Sequence, residues 1–238
     1  YNFYKGPDGE IKDYSSNWKK VTKTIYDSQN FGGQLKKTKY FEDSLDVILA
    51  EINDPAEKAN AVFNFVKSKV KWNDYYGKYT NDGVKKAFEN RTGNIAEINL
   101  MLTAMLRYAG LTANPVLVST KSHGIPITAT LDGFNYVISA LELQNKTILL
   151  DASNTYNLPN VLPKRAINWQ GRLVRKDGTS SWISLQQETP ILDSKFIIYK
   201  ITSDLNVEGK VREQKTLQLA QRLRKKESKL TEEEKIEQ

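Results

Sequence analysis

Cysteine is missing from all 238 residues, and histidine occurs once, at His123. The first absence removes disulfides, thiolate metal sites and cysteine nucleophiles in one step, and it fits either redox compartment. The second leaves too few ligands for a protein-built zinc site, which draws on several His or Cys side chains. No metal or other cofactor is expected. Long apolar runs are missing too, since none approaches the ~20 residues that carry a helix across a bilayer. Charge of one sign is only modestly in excess: 35 Lys and Arg face 28 Asp and Glu, for a formal +7. The cations are interleaved with acids along most of the chain. That describes a solvated surface rather than a phosphate-tracking groove, so nucleic acid is not an expected partner. The chain opens at Tyr1 and closes in a charged stretch, and so reads as an excised piece or a mature form. The lack of a signal peptide is then uninformative.

What is present is organised around the stretch from Thr92 to Gly110. Asn94 is a good N-cap, and Glu97 lies three residues on, placed to reach back to the cap's own amide. Gly110 is a natural left-handed terminator. Between them Ile95, Ile98, Leu100, Met101, Leu102, Ala104, Met105 and Leu106 leave almost no polar face, which predicts a buried central helix. Upstream, Ser16 is placed to cap a helix with Trp18, Val21, Ile25 and Tyr26 inside, broken by Gly32-Gly33. Ser44 to Ile52 reads as a second short helix. Asp54-Pro55-Ala56-Glu57 is a strong helix start, followed by the stripe Ala59, Val62, Phe63, Val66 and Val70. Trp72 to Tyr79 is an aromatic, turn-rich loop, either the half-buried lid of a core or the wall of a groove. Val84 to Glu89 is a further short helix.

After Gly110 the period changes to that of strands. Asn114 to Thr120 and Phe134 to Leu143 are strands, and Gln144-Asn145-Lys146 turns the chain into Thr147 to Asp151. Lys121 to Gly133 is a loop holding His123, and Leu158 to Arg165 a rim loop. Arg172 to Ile183 is a hairpin turning at Asp177-Gly178, and Ile191 to Thr202 is another strand. Val207 to Lys210 reads as a turn, and Arg212 to Lys226 as a polar helix with Leu217, Ala220 and Leu223 inside. The last dozen residues are mostly charged and expected to fray. The fold class is therefore α+β: a helical N-terminal lobe whose buried central helix packs on an antiparallel sheet. Three segments follow from this: a helical lead-in at 1–53, a core at 54–203, and a polar extension at 204–238 that could open a further domain.

Four segments carry a more specific likeness. They are Asn90 to Leu111, Pro115-Val-Leu-Val-Ser-Thr120, Phe134-Asn-Tyr-Val-Ile138 and Leu149-Leu-Asp-Ala-Ser153, with Asn168 to Arg175 beyond them. Together they resemble the core of the transglutaminase-like superfamily, which has a papain-like fold, in the version found in large bacterial envelope proteins. The resemblance implies a Cys-His-Asp triad. A cysteine would sit in the first turn of the central helix, where unpaired amides and the helix dipole favour a thiolate. A histidine on the next strand would act as base, and an aspartate on the strand after it would orient the ring.

The matching positions here hold Ile95, Tyr136 and Asp151. Isoleucine has no lone pair to attack an acyl group. Tyrosine, with an ordinary pKa of about 10, is a poor proton acceptor at neutral pH. Loss of a triad nucleophile alone costs on the order of 10⁶ in turnover. Acyl transfer by the family mechanism is expected to be absent. Ile95 and Tyr136 should pack and close the site floor, with Asp151 accepting a hydrogen bond from Tyr136 or capping its strand end.

Other chemistry can be written on paper. His123 lies near Ser119, Thr120, Ser122 and Asp132, but neighbours in one loop rarely reach triad geometry. Glu97 is better explained as a capping partner than as an acid catalyst. The expected function is thus a catalytically inactive domain kept as a binding or scaffolding module. Its groove would be lined by Trp72, Tyr75, Tyr76, Asn94 and Tyr136, and would take a peptide, protein or glycan, or neighbouring domains of a longer chain. A periplasmic or cell-envelope location is implied by the resemblance alone. Two alternatives stand beside this: an acyltransferase or peptidase using other residues, and a structural spacer with Ile95 and Tyr136 wholly buried and no cleft.

Overall fold

The computed structural model describes residues 3–5, 11–13, 17–144, 146–186 and 189–231. The expected cap at Ser16, the Asn145 corner of one hairpin and the end of the charged tail lie outside the described residues. The first residues, read as irregular, contain a small antiparallel ribbon of β1 (Phe3–Lys5) and β2 (Ile11–Asp13). Helix α1 (Trp18–Asp27) is capped by Asn17, whose Oδ1 accepts from the Lys20 N–H at 2.9 Å. It ends at Asp27, before the two glycines. Helix α2 (Glu42–Leu49) starts two residues ahead of Ser44. Helix α3 (Pro55–Lys69) begins as its sequence dictates, with Asp54 Oδ1 accepting from the Ala56 and Glu57 N–H groups at 2.9 Å each.

Strand β3 (Lys71–Trp72) runs parallel to β4 (Thr92–Gly93), with α4 (Val84–Asn90) between them. Helix α5 (Ile95–Tyr108) follows directly and is the buried centre of the molecule. It lies against α3, α4, and the sheet strands β5 (Ala113–Val118) and β6 (Tyr136–Glu142). These two strands, with β7 (Thr147–Leu150), β8 (Gln170–Val174) and β9 (Ser180–Ser184), form one antiparallel sheet in the order β7-β6-β5-β8-β9. Helix on sheet, with the helix apolar all round, is the two-layer solution its composition demands.

The start of α5 is held by a single carboxylate. Glu97 Oε2 accepts from the Asn94 N–H at 2.8 Å while Asn94 Oδ1 accepts from the Glu97 N–H at 2.8 Å, closing the expected capping box. Its other oxygen, Oε1, accepts from the N–H groups of Asn81, Asp82 and Gly83 at 3.0, 2.8 and 3.1 Å. One buried side chain thus fixes both the helix cap and the loop leading into α4. Gly93 is required at this point, because a Cβ there would meet Ala87 Cβ at 2.9 Å and Glu97 Oε2 at 3.0 Å.

The C-terminal part departs from the sequence reading. Residues 207–210 are not a turn but the start of β11 (Val207–Lys215), which pairs along its whole length with β10 (Asp193–Ile201). The alternation of Val207, Gly209 and Val211 with charged residues is a strand pattern that charge content obscured. Neither strand joins the five-stranded sheet, and Phe196, Ile197, Ile198, Tyr199 and Ile201 are exposed. Helix α6 accordingly begins at Leu217 and runs to Glu227. Its buried residues are Gln218 and Gln221, not Leu217, Ala220 and Leu223. The reason is the surface it meets: Gln218 Nε2 donates to Leu162 O at 3.0 Å and Gln221 Nε2 to Val161 O at 3.5 Å. A rim of main-chain carbonyls is satisfied by amides and not by leucines.

Replacing Glu97 with Ala should leave four main-chain donors without their acceptor, those of Gly83 and Asn94 buried, and destabilise the fold by about 3 kcal/mol, read from urea unfolding. A loss under about 1 kcal/mol would show that the carboxylate is not what holds this junction.

Candidate functional site

Of the three positions singled out in the sequence, Tyr136 and Asp151 meet directly, and Ile95 lies one helical turn before Asn99, which bonds Asp151. Ile95 is the first residue of α5 and Tyr136 the first of β6; each is 0% exposed. Asp151 follows β7 directly and is also buried. The phenol of Tyr136 donates to Asp151 Oδ2 at 2.7 Å. The other carboxylate oxygen, Oδ1, accepts from the Ser153 N–H at 2.9 Å and from Asn99 Nδ2 at 3.2 Å. Asn99 is one helical turn beyond Ile95 on α5, so both face the sheet. Its amide also donates to Val137 O at 3.0 Å and accepts from the Ala152 N–H at 2.9 Å. Asp151 is thereby pinned between helix and sheet by neutral donors.

Above this floor lies Arg165, in the chain between Leu162 and β8. Its Nε and Nη2 donate to the Tyr136 phenol oxygen at 3.2 and 3.1 Å, and Nη2 donates to Ser153 Oγ at 2.8 Å. The guanidinium lies 4.4 Å from the Trp72 ring centroid, 5.8 Å from Tyr76 and 5.6 Å from Tyr136. Trp72 and Tyr76 stack on one another at 5.5 Å, and Tyr76 tilts over Tyr136 at 5.9 Å. The aromatic loop is therefore a lid, as its half-buried reading implied, and it closes on a cation.

The remaining groove residues are accounted for as follows. Tyr75 O accepts from the Ile95 N–H at 3.3 Å and from Trp72 Nε1 at 2.9 Å, while its ring is exposed. A first-turn amide of α5 is thus already taken by the lid. Asn94 is buried, with Oδ1 in the capping box and Nδ2 donating to Tyr79 O at 2.9 Å. Sequence reasoning missed Arg165 and Asn99. Asn99 left a trace, being a polar residue inside an otherwise apolar helix. Arg165 left none, because nothing in a rim loop says which way an arginine turns.

The electrostatics oppose a proton-accepting role for Tyr136. Burial, and then the Asp151 carboxylate, push the Tyr136 phenol well above its ordinary value, only partly offset by Arg165. A phenol so held stays protonated and cannot serve as a base. Burial works against the charge of Arg165, but the phenol and carboxylate oxygens outweigh it and its pKa is raised. The Ser153 hydroxyl accepts from Arg165 and lies 3.4 Å from the Tyr136 phenol oxygen. Elsewhere, His123 Nε2 lies 2.6 Å from Asp132 O, while Ser119 Oγ donates to Gly124 O at 2.6 Å. Among the described residues the hydrogen bond of the His123 ring goes to the Asp132 carbonyl and not to a hydroxyl, so the Ser-His-Asp arrangement is not formed there. Among the described residues no three His, Asp or Glu side chains cluster as a metal site would need.

Residues 45–146 match the transglutaminase-like superfamily core. No curated protein matches the chain. Among solved structures, it is similar to a candidate protease from Parabacteroides distasonis at 17% identity and a TM-score of 0.50, covering 78% of this chain and 35% of that one. A candidate cysteine protease from Cytophaga hutchinsonii aligns at 10% identity and a TM-score of 0.39, over 81% of this chain and 58% of that one. The chain thus spans about a third of the first structure's length, and the likeness concerns the fold. Within that transglutaminase-like fold the catalytic cysteine is absent.

Tyr136→Phe should cost about 1–3 kcal/mol at neutral pH, since Asp151 loses a donor and Arg165 an acceptor. The raised phenol pKa also has a pH signature. The folded state favours the protonated phenol, so its contribution is complete below pH ~10 and is lost as pH climbs toward the folded-state value. Urea midpoints of the natural protein should therefore fall more steeply above pH ~10 than those of Tyr136→Phe. Parallel curves would place the phenol outside the hydrogen-bonded network.

Proposed function

We propose that this is a disarmed transglutaminase-like domain that works as a protein-binding and scaffolding module of a bacterial cell-envelope protein. One observation carries the reading. The positions that would hold nucleophile and base are buried side chains committed to other partners, with Tyr136 bonded to Asp151 under Arg165. Ile95 cannot attack an acyl group, and Tyr136 cannot take its proton. The aspartate survives as a hydrogen-bond acceptor and so keeps a structural role without its catalytic one. Interaction is favoured by the exposed Tyr75 and Tyr76 rings at the rim, since amphipathic aromatics of this kind supply contact area at low entropic cost. The envelope location rests on the family resemblance alone.

A structural spacer is the second reading, and it has its own support. Ile95 and Tyr136 are both fully covered, as a spacer would have them. An enzyme using non-standard residues has less: His123 is occupied by a backbone carbonyl, and Ser153 accepts from Arg165 beside the Tyr136 phenol.

Two measurements separate these. Offered glutamine-containing and ester acyl donors with labelled amine or water, the natural protein should give no product, about 10⁶-fold or more below an armed relative. Turnover that survives purification of the natural protein would overturn the inactive reading. Panning a peptide library on the immobilised protein should then enrich sequences whose capture fails in Trp72→Ala with Tyr76→Ala. Capture of nothing would leave the spacer.

A further inference from the structure

The box made by Trp72, Tyr76, Tyr136 and Asp151 holds a guanidinium, and that guanidinium belongs to the chain itself. We propose that this box is a recognition site for an arginine side chain of a peptide partner, and that Arg165 is its internal occupant. The inference rests on the binding-module reading above and names the ligand class of the same site.

The lining is that of a cation site. Three ring faces lie within 6 Å of the guanidinium carbon, the range over which a ring's quadrupole attracts a cation. Under them is the buried Asp151 carboxylate, whose direct donors are the phenol, an amide side chain and a main-chain N–H, all neutral. Among the described residues the cation bonded to that phenol is Arg165. A neutral ligand would leave that carboxylate uncompensated, whereas another guanidinium would replace Arg165 like for like. The flat Trp72 face and the paired N–H donation to one phenol oxygen suit a planar fork better than an ammonium.

Arg165 is also held as an occupant rather than as a brace. The contrast is with Arg175, whose Nε and Nη2 grip the Glu142 carboxylate at 3.0 and 2.5 Å. Among the described residues no carboxylate binds Arg165 directly; its donors go to two hydroxyl oxygens. It comes from a segment without helix or strand, and its backbone is tied separately, Arg165 O accepting from the Lys121 N–H at 3.0 Å. The main chain at Arg165 is thus held by a bond that does not involve the guanidinium. Tyr75, exposed beside the box, and the solvent side of Tyr76 would meet the flanks of an incoming peptide.

The test uses the natural protein, Arg165→Ala and Arg165→Met, the last filling the space without charge. Guanidinium ion at concentrations too low to denature should raise the melting temperature of Arg165→Ala, and equal urea should not. An acetylated arginine peptide should bind Arg165→Ala more than about tenfold tighter than the natural protein, because the internal occupant no longer competes. The citrulline version should not bind, and Trp72→Phe in the Arg165→Ala background should weaken the arginine peptide. Should both variants unfold, the natural protein decides alone: arginine peptide must shift the Arg165 Nε–H resonance. No guanidinium-specific effect in folded variants overturns the proposal. If neutral peptides are then still captured at the Trp72–Tyr76 rim, only the ligand class has failed. If no peptide of any composition binds, the module reading falls with it.

Discussion

A buried carboxylate accepting four main-chain N–H groups sets the geometry of the whole site. Glu97 joins the first turn of α5 to residues 81–83, and through them to α4 and the end of the aromatic loop. Few side chains could replace it, because only an ionised carboxylate presents enough acceptor sites to serve four donors at once. With that junction fixed, the N-terminus of α5 is aimed at the start of β6, and Asn99 one turn later at Asp151. The site is a consequence of this junction, and it persists whether or not the chemistry does.

The side chains set in that frame decide how open it is. A thiolate at the helix start and an imidazole on the strand would need an open approach for an acyl group. An isoleucine and a tyrosine need the opposite, since apolar surface and a phenol are stabilised by burial with a partner for the hydroxyl. Asp151 supplies the partner. Arg165 then serves the second side of the phenol oxygen, and the lid residues Trp72 and Tyr76 close over its flat face. Each group satisfies the next, and a buried polar network of this kind is stable when every member is satisfied. Asp151 therefore has a structural part of its own in this network.

The molecule is unevenly covered. Helices α3 to α5 and the central strands are closely buried, while β10 and β11 stand outside the sheet with large apolar side chains in solvent. The match to the superfamily core ends at residue 146, in the middle of the sheet, although the fold continues through β8 and β9. Fold likeness at 17% identity thus speaks to architecture, and the argument about function must stand on the site.

The helices could be read because their signals are local: Asp54-Pro55, the Asn94–Glu97 box and Gly110 act within a few residues of where they sit in the chain. The core strands followed from their apolar runs, and the positions Ile95, Tyr136 and Asp151 from motifs that each mark one element. Residues 207–210 were misread as a turn and 212–215 as the start of a helix because a strand that lies exposed carries a largely polar composition. The inner face of α6 was misread because its partner is a row of carbonyls some sixty positions away. Residue identity alone decided that no cysteine nucleophile is available to a transglutaminase-like core. Only the tertiary structure decided what fills the site instead. Arg165 reaches Tyr136 from 29 residues along the chain, and a contact at that separation is set by how the rim loop packs, not by any pattern in its own sequence.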